Sequence, residues 1–286
     1  MDEEALIRRA LAEDLTTNND VTTDLFVPAH ATVNGWIEAR EDGVVSGLRV
    51  AAAVFNTIDP SVNVTLLVKD GERVKRLDRV LNLAGGAAAI LRAERTALNF
   101  LCHLSGIATI TQKYVERTRP WNTQILCTRK TTPGLRDWEV AAVRHGGGEV
   151  YRTNLSDAVL LKDNHQGILG GMSGVERRLS EMRQQDPDLT QWVLADGKIE
   201  VSSLQDIQQA YAMGWRHMLL DNFTVADVAA AVHKWREKVF LEVSGGVNLD
   251  NVAGYAATGV HAISIGALTH SAKAMDFSLE VEWRRL

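Results

Sequence analysis

From Asn122 onward the chain alternates short apolar runs with helix-compatible segments, and this rhythm restricts the fold more than any other feature. The expected strands are residues 124–127, 158–161, 192–195, 217–220, 239–243 and 262–265. Expected helices lie between them at 134–144, 173–184, 203–213, 225–236 and 248–256. Six strands with intervening helices in roughly 165 residues suit a compact parallel barrel better than an open doubly wound sheet. No Gly-x-Gly-x-x-Gly follows the first strand, which counts against a dinucleotide-binding sheet.

The first third reads differently. Residues 3–13 place Ala5, Leu6, Ala10 and Leu11 at helical spacing, and a polar loop from Asp14 to Thr23 follows. Alternation from Ala31 to Ala39, then Val44-Val45, predicts two strands; Leu48 to Ile58 reads as a helix. Further strands are expected around Val62–Leu67 and Arg79–Leu83, giving an α+β unit of antiparallel character. Gly85-Gly86 opens a helix-compatible stretch to Leu104. Ser105-Gly106 is expected to interrupt it before a second helix ending near Arg117.

Composition narrows the partners. A formal charge of −5 argues against nucleic acid or an anionic membrane, but leaves room for a small anion held by a local cluster of cations. Cys102 and Cys127 have no Cys-x-x-Cys spacing, so neither a disulfide framework nor a zinc site is expected. The acidic N-terminus lacks a signal-peptide core and no apolar run approaches about 20 residues, so a cytoplasmic protein is expected.

The residues just after each expected strand share one theme. Arg129 and Lys130 follow the first; Lys162, Asn164 and His165 follow the second. Glu200 lies on an extension of the third strand or at the start of the next helix; Asp221 and Asn222 follow the fourth. Ser244-Gly245-Gly246 follows the fifth and Gly266 ends the sixth. Barrel sites gather at the C-terminal strand ends, and a Ser-Gly-Gly turn before a helix offers backbone amides to a phosphate. The cations suit anionic substrate groups. Glu200 and Asp221 suit sugar hydroxyls or a Mg²⁺ carried in with a polyphosphate. Each residue alone has a plainer reading: a lone Lys is a surface charge, and Asp221 could cap a helix starting near Thr224. Five successive strand ends carrying such groups would need that plainer reading five times. The histidines His103, His145, His217, His233, His261 and His270 have no partners at ligand spacing and read as structural.

Glu94-Arg95-Thr96-Ala97-Leu98-Asn99, Leu104-Ser105-Gly106-Ile107-Ala108-Thr109, Thr128-Arg129-Lys130-Thr131-Thr132-Pro133-Gly134-Leu135-Arg136, Gly146-Gly147-Gly148 and Lys162-Asp163-Asn164-His165 closely resemble the quinolinate phosphoribosyltransferase family. The likeness spans almost the whole chain, from Glu13-Asp14-Leu15 to Ser264-Ile265-Gly266-Ala267-Leu268-Thr269. It implies an α/β fold in two parts. Residues 1–117 would form an open α/β sandwich, 118–266 an incomplete six- to seven-stranded parallel α/β barrel, and 267–286 would pack against the first part. It also implies a homodimer with shared sites, Arg95 reaching into the neighbour's. Arg129, Lys130, Arg152 and Lys162 would hold the pyridine dicarboxylate and phosphates, His165 joining them. Glu200 and Asp221 would serve ribose and Mg²⁺, and Ser244, Gly245, Gly246 and Gly266 the 5′-phosphate. Lys130, Lys162, Glu200 and Asp221 are the expected catalytic set. The implied reaction displaces pyrophosphate from phosphoribosyl pyrophosphate by quinolinate, then releases CO₂ to leave nicotinate mononucleotide.

The chain departs from the family pattern at Val150-Tyr151-Arg152-Thr153-Asn154-Leu155, where Asn-His-Arg-x-Gly-Leu is usual. Tyr151 replaces the His that grips a substrate carboxylate, Cys127 an Asp, Trp138 a smaller apolar residue, Val140 a Lys and Lys198 an acidic residue. These changes are expected around the base pocket, and Tyr151→His would then improve quinolinate use. A paralogue ribosylating another heteroaromatic acid and a non-catalytic sensor of phosphoribosyl pyrophosphate are the alternatives. A Schiff-base aldolase using Lys162 leaves Asp163 unexplained.

Overall fold

The computed structural model describes residues 3–16 and 20–282. Residues 17–19 of the expected polar loop and 283–286 of the expected C-terminal segment lie outside the described residues. The strands, in chain order, are β1 (Thr32–Ala39), β2 (Gly43–Val44), β3 (Asn63–Leu66), β4 (Arg73–Val74), β5 (Arg79–Gly86), β6 (Gln124–Cys127) and β7 (Glu149–Val150). They continue with β8 (Leu160–Leu161), β9 (Lys198–Val201), β10 (His217–Asp221), β11 (Phe240–Ser244), β12 (Ala262–Ile265) and β13 (Phe277–Val281). The chain divides into two compact units. One contains the residues up to Gln112, Thr131–Gly147 and those from Leu268 onward; the other contains Lys113–Lys130 and Gly148–Ala267.

In the first unit β13, β1, β5 and β3 form an antiparallel sheet, and β2 pairs with β4. Ile37 of β1 lies opposite Leu81 of β5 and Gly35 opposite Leu83. The alternation seen in the sequence thus delivers Ile37, Ala39, Leu81 and Leu83 to one core. The helix Leu48–Ile58 adds Leu48, Ala51, Val54 and Phe55, whose spacing of three and four residues forms one apolar stripe.

Two sequence expectations for this unit fail. Ser105-Gly106 does not interrupt the long helix, which runs unbroken from Ala87 to Thr118. The buried Ser105 hydroxyl accepts from Ser46 N (2.9 Å) and donates to Ser46 O (3.1 Å). A Cβ on Gly106 would lie 2.2 Å from Lys273 O. The pair serves a close backbone approach, not a break. The polar loop also contains an unexpected helix, Val21–Phe26, begun by Asp20, whose carboxylate accepts from Thr23 N at 3.0 Å.

The second unit is a seven-stranded parallel sheet in the order β7-β6-β12-β11-β10-β9-β8, its helices lying between strands in sequence. This is the incomplete α/β barrel: its two shortest strands, β7 and β8, are its edges. The third strand is not at 192–195. Residues Pro187–Asp196 are helical, with Pro at the first turn and Asp186 capping Leu189 N at 2.9 Å. Buried Thr190, Val193 and Leu194 follow helical spacing, so a short apolar run was read with the wrong period. The strand is β9, four residues of which are all buried, and Glu200 lies within it. No helix among the described residues is long and apolar enough to cross a membrane.

Candidate active site

The parallel register decides which strand ends meet. Cys127 of β6 lies opposite Val150 of β7, so Arg129 and Arg152 leave adjacent strands two residues further on. Burial and the neighbouring Arg129 charge both push the Arg152 guanidinium below its ordinary value, as expected of two cations sharing a site. Lys130 is exposed beside them, its N–H donating to Thr128 Oγ1 at 3.1 Å. Asp157 is held down to about 2 by bonds from Thr153 and Asn154, which order the loop after Arg152.

The barrel's open seam lies between its edge strands, where no backbone pairing joins β7 to β8. Two side chains cross it. The Tyr151 hydroxyl donates to Val159 O (3.1 Å) and Asp196 O (3.0 Å), one proton shared by two acceptors. Arg152 Nη1 donates to Ala158 O at 3.0 Å.

At the other edge, Lys162 precedes the helix Asp163–Leu169. Lys162 N donates to His165 Nδ1 at 3.0 Å, and Gln166 Nε2 to Glu200 O at 2.7 Å, so this helix is tied to β9. Lys162 Nζ lies 3.8 Å from Glu200 Oε2; the lysine side chain is half exposed and the carboxylate nearly buried. Burial raises the Glu200 carboxyl, Lys162 opposes that, and the nearby Asp221 and Asp163 charges raise it further. The structure therefore joins Lys162, Glu200 and Asp221 into one electrostatic group.

Asp221 ends β10 opposite Ser244 of β11. Asn222 follows in a left-handed conformation (φ 56°), donating from its side chain to Asp221 Oδ2 (2.8 Å) and from its N–H to Ser244 O (2.8 Å). Gly245 (φ 94°) packs on it so closely that a Cβ would lie 2.2 Å from Asn222 Oδ1. The Ser244–Gly246 turn does not lead straight into a helix as expected. The helix begins at Val252, after a turn in which Asn251 Nδ2 donates to Gly246 O at 3.0 Å. Gly266 follows β12, which pairs with β11. Gly245→Ala is expected to displace Asn222 and loosen Asp221. The left-handed backbone alone should then cost about 1–2 kcal/mol of stability, which chemical denaturation reads.

Sequence reasoning missed a charged cluster inside the barrel. Glu242 is 1% exposed. Its Oε2 meets Lys198 Nζ and lies 3.2 Å from His217 Nε2, and its Oε1 accepts from Ser264 Oγ at 2.6 Å. Lys198 Nζ also lies 3.6 Å from the centroid of the Tyr151 ring, which meets the His217 ring edge-on at 5.4 Å. Burial opposes the charge on Glu242, but His217 and Lys198 outweigh it and hold the carboxyl below its ordinary range. Burial also pulls Lys198 down against that carboxylate. We take the pair as charged, because a neutral amine would leave Glu242 as an uncompensated buried anion. Burial, ahead of Glu242, drives Tyr151 up to about 12, so the phenol stays protonated. The available signal was the two-residue alternation that puts Lys198 and Glu200, His217 and Leu219, and Glu242 and Ser244 on shared strand faces.

Not every departure residue belongs here. Trp138 packs edge-on against Phe100 at 5.0 Å and Val140 is buried, both within the first unit, so packing there accounts for them. Arg95 is exposed on the long helix of the first unit. His103, His145 and His261 have hydrogen-bond partners within the fold, at Glu139, Ser46 and Leu241, which fits structural roles. Among the described residues no three His, Cys, Asp or Glu side chains form a group able to hold a metal ion. A divalent cation at Glu200 and Asp221 would therefore need most of its oxygens from substrate and water, the usual habit of Mg²⁺.

Comparison with known proteins places the chain by similarity along its length. Residues 20–105 match the family model for the quinolinate phosphoribosyl transferase N-terminal domain, and residues 107–280 match that for the C-terminal domain. The nicotinate-nucleotide pyrophosphorylase [carboxylating] of Mycobacterium leprae is 40% identical over 280 residues, covering 96% of this chain and 95% of that one. The crystal structure of nicotinate-nucleotide pyrophosphorylase from Ehrlichia chaffeensis superposes with a TM-score of 0.89 at 35% identity, covering 99% of both chains. The structure of the nicotinate-nucleotide pyrophosphorylase from Francisella tularensis gives a TM-score of 0.87 at 36% identity, covering 98% of this chain and 96% of that one.

Proposed function

This chain belongs to the quinolinate phosphoribosyltransferase family, and from that premise we propose how its own residues carry the reaction. It is a phosphoribosyltransferase: it joins phosphoribosyl pyrophosphate to quinolinate, yielding nicotinate mononucleotide, CO₂ and pyrophosphate. The observation that carries the assignment of roles is the Lys162–Glu200–Asp221 group at the ends of β8, β9 and β10.

Leaving pyrophosphate makes the sugar oxocarbenium-like, and the Glu200 and Asp221 carboxylates are fixed where that positive charge develops. Lys162 favours the charged form of Glu200 against burial and the neighbouring carboxylates, and Asn222 holds Asp221 in place. Ser244, Gly245, Gly246 and Gly266 hold the 5′-phosphate. Arg129 and Arg152, with Lys130 and His165 at the rim, hold the dicarboxylate so that its ring nitrogen faces the sugar carbon. That is an effect of positioning. After transfer the ring nitrogen is cationic, so the adjacent carboxylate leaves as CO₂ without a protein nucleophile, and the ylide left at that ring carbon takes a proton from water. Glu200, Asp221 and the substrate's phosphates would hold Mg²⁺, which supplies positive charge to the departing pyrophosphate.

The active unit is a homodimer in this reading. Val21, Leu25 and Phe26 of the helix Val21–Phe26 are 68%, 72% and 80% exposed, a patch that suits an apolar partner surface. Asp24 of that helix pairs with Arg92, one turn from Arg95 on the same helix face, so Arg95 stands beside the patch. Mixing inactive Arg95→Ala protein with inactive Glu200→Gln protein is expected to restore activity through hybrid dimers; no recovery after subunit exchange would exclude shared sites.

The reaction itself is tested with purified protein, phosphoribosyl pyrophosphate, Mg²⁺ and a panel of pyridine carboxylates, following pyrophosphate and CO₂. Both products from quinolinate are expected. Pyrophosphate from a different acid alone would remove the quinolinate assignment, and tight binding without turnover would make the protein a sensor.

A further inference from the structure

We propose that Lys198 is a specificity-determining positioning residue: held by Glu242, its ammonium clamps the Tyr151 ring, which latches the barrel seam and forms a rigid, uncharged wall of the base subsite. The inference rests on the quinolinate reading of that subsite. Its observations are geometric. Tyr151 immediately precedes Arg152, and both side chains donate across the gap between β7 and β8, to Val159 O, Asp196 O and Ala158 O. With its one proton shared between two backbone carbonyls, the Tyr151 hydroxyl has none left to give a substrate carboxylate.

The ring face is occupied too. Lys198 Nζ sits 3.6 Å from its centroid, within the range of a strong cation–π contact, and this contact is dry because Lys198 is 2% exposed. Glu242 fixes the ammonium from one side, and Ser264 and His217 fix Glu242. The clamp therefore runs from β12 through β11 and β9 to the seam residue, and it reaches the base subsite through the Tyr151 ring. A rigid Tyr151 sets where Arg152 stands, and the carboxylates are then gripped by Arg129 and Arg152, with residue 151 supplying shape alone.

The geometry reverses the expectation for Tyr151→His. An imidazole at this position would lose the seam bonds and lie beside a buried ammonium, so the substitution should not lower the KM for quinolinate while Lys198 is present.

The test is a double-mutant cycle on the full-length enzyme. One arm is the paired change Lys198→Met with Glu242→Gln, which removes the cation and its counter-charge together; the other is Tyr151→Leu. The paired change is expected to raise the KM for quinolinate roughly five- to thirtyfold, the range of a desolvated cation–π contact. The KM for phosphoribosyl pyrophosphate should stay within about twofold, as should kcat. In the Tyr151→Leu background the paired change should add nothing to the KM for quinolinate. Additive effects, an equal rise in both KM values, or a Tyr151→His enzyme with a lower KM for quinolinate would each overturn the proposal. If the paired variant fails to fold, Lys198→Gln, which still donates to Glu242, carries the same outcomes. Failure of both to fold would make Lys198 a structural residue and end the idea. A wild-type enzyme inactive with quinolinate overturns the functional reading and this inference with it, whereas an active wild type with an additive cycle overturns this inference alone.

Discussion

Glu242→Gln is expected to destabilise the folded protein by about 3–5 kcal/mol, the largest stability effect of any single change considered in the barrel. The substitution keeps the shape and preserves hydrogen bonds to Ser264 and His217. It removes the negative charge that Lys198 faces at 2% exposure. Water cannot reach the ammonium to compensate, so the folded state must either hold an unpaired cation or deprotonate it. Chemical denaturation of the two proteins reads the difference. Adding Lys198→Met should recover most of the loss, because an uncharged, similarly shaped pair avoids desolvating two ions. A loss below about 1 kcal/mol for Glu242→Gln would mean that the pair is not charged in the folded protein.

Glu200→Gln is expected to lower kcat by about 10²–10³, the range for removing one preorganised group from a centre where charge develops. The KM for quinolinate should change little, since an oxocarbenium-like charge exists only in the transition state. The same carboxylate makes the rate pH-dependent. Burial, with Asp221 and Asp163 nearby, raises Glu200 above its ordinary value of 4.5, so the acid limb of kcat/KM, which reports the free enzyme, should lie above that value. For this group the sign of the stability effect is opposite. A raised carboxyl binds its proton more tightly when folded, so its protonation favours the fold and its ionisation opposes it as pH rises. Activity on the acid side is thus lost through lost charge at Glu200, while this residue's own contribution to stability improves. Circular dichroism measured beside the pH–rate profile separates the two. Unchanged kcat in Glu200→Gln would remove the residue from the catalytic set.

Arg129, Lys130, Lys162, Asp221 and Ser244 were legible because each closes an apolar run, and a buried parallel strand ends where polar groups begin. Glu200 was found as a residue but misplaced in the fold. Trp192-Val193-Leu194-Ala195 has the apolar content of a short strand, and only the capping Asp186 with Pro187 distinguished a helix. Ser105-Gly106 misled for a related reason. A glycine in a helical stretch usually weakens it, yet here the absent Cβ admits the Lys273 carbonyl. Local rules describe a residue's own backbone, and these positions answer to a distant segment.

The sequence by itself determined the barrel-like rhythm and the identity and order of the residues at the strand ends, because those signals are local and sequential; the reaction followed from the resemblance of its motifs to a known family. Only the tertiary structure decided that Lys198, Glu242, Ser264 and Tyr151 form one clamp and that Tyr151 and Arg152 latch the seam. Lys198 and Glu242 stand 44 residues apart. They meet because β9, β10 and β11 are consecutive in a parallel sheet whose register places His217 opposite both Lys198 and Phe240. Alternation shows which residues share a face of one strand, but strand order and register choose which faces meet.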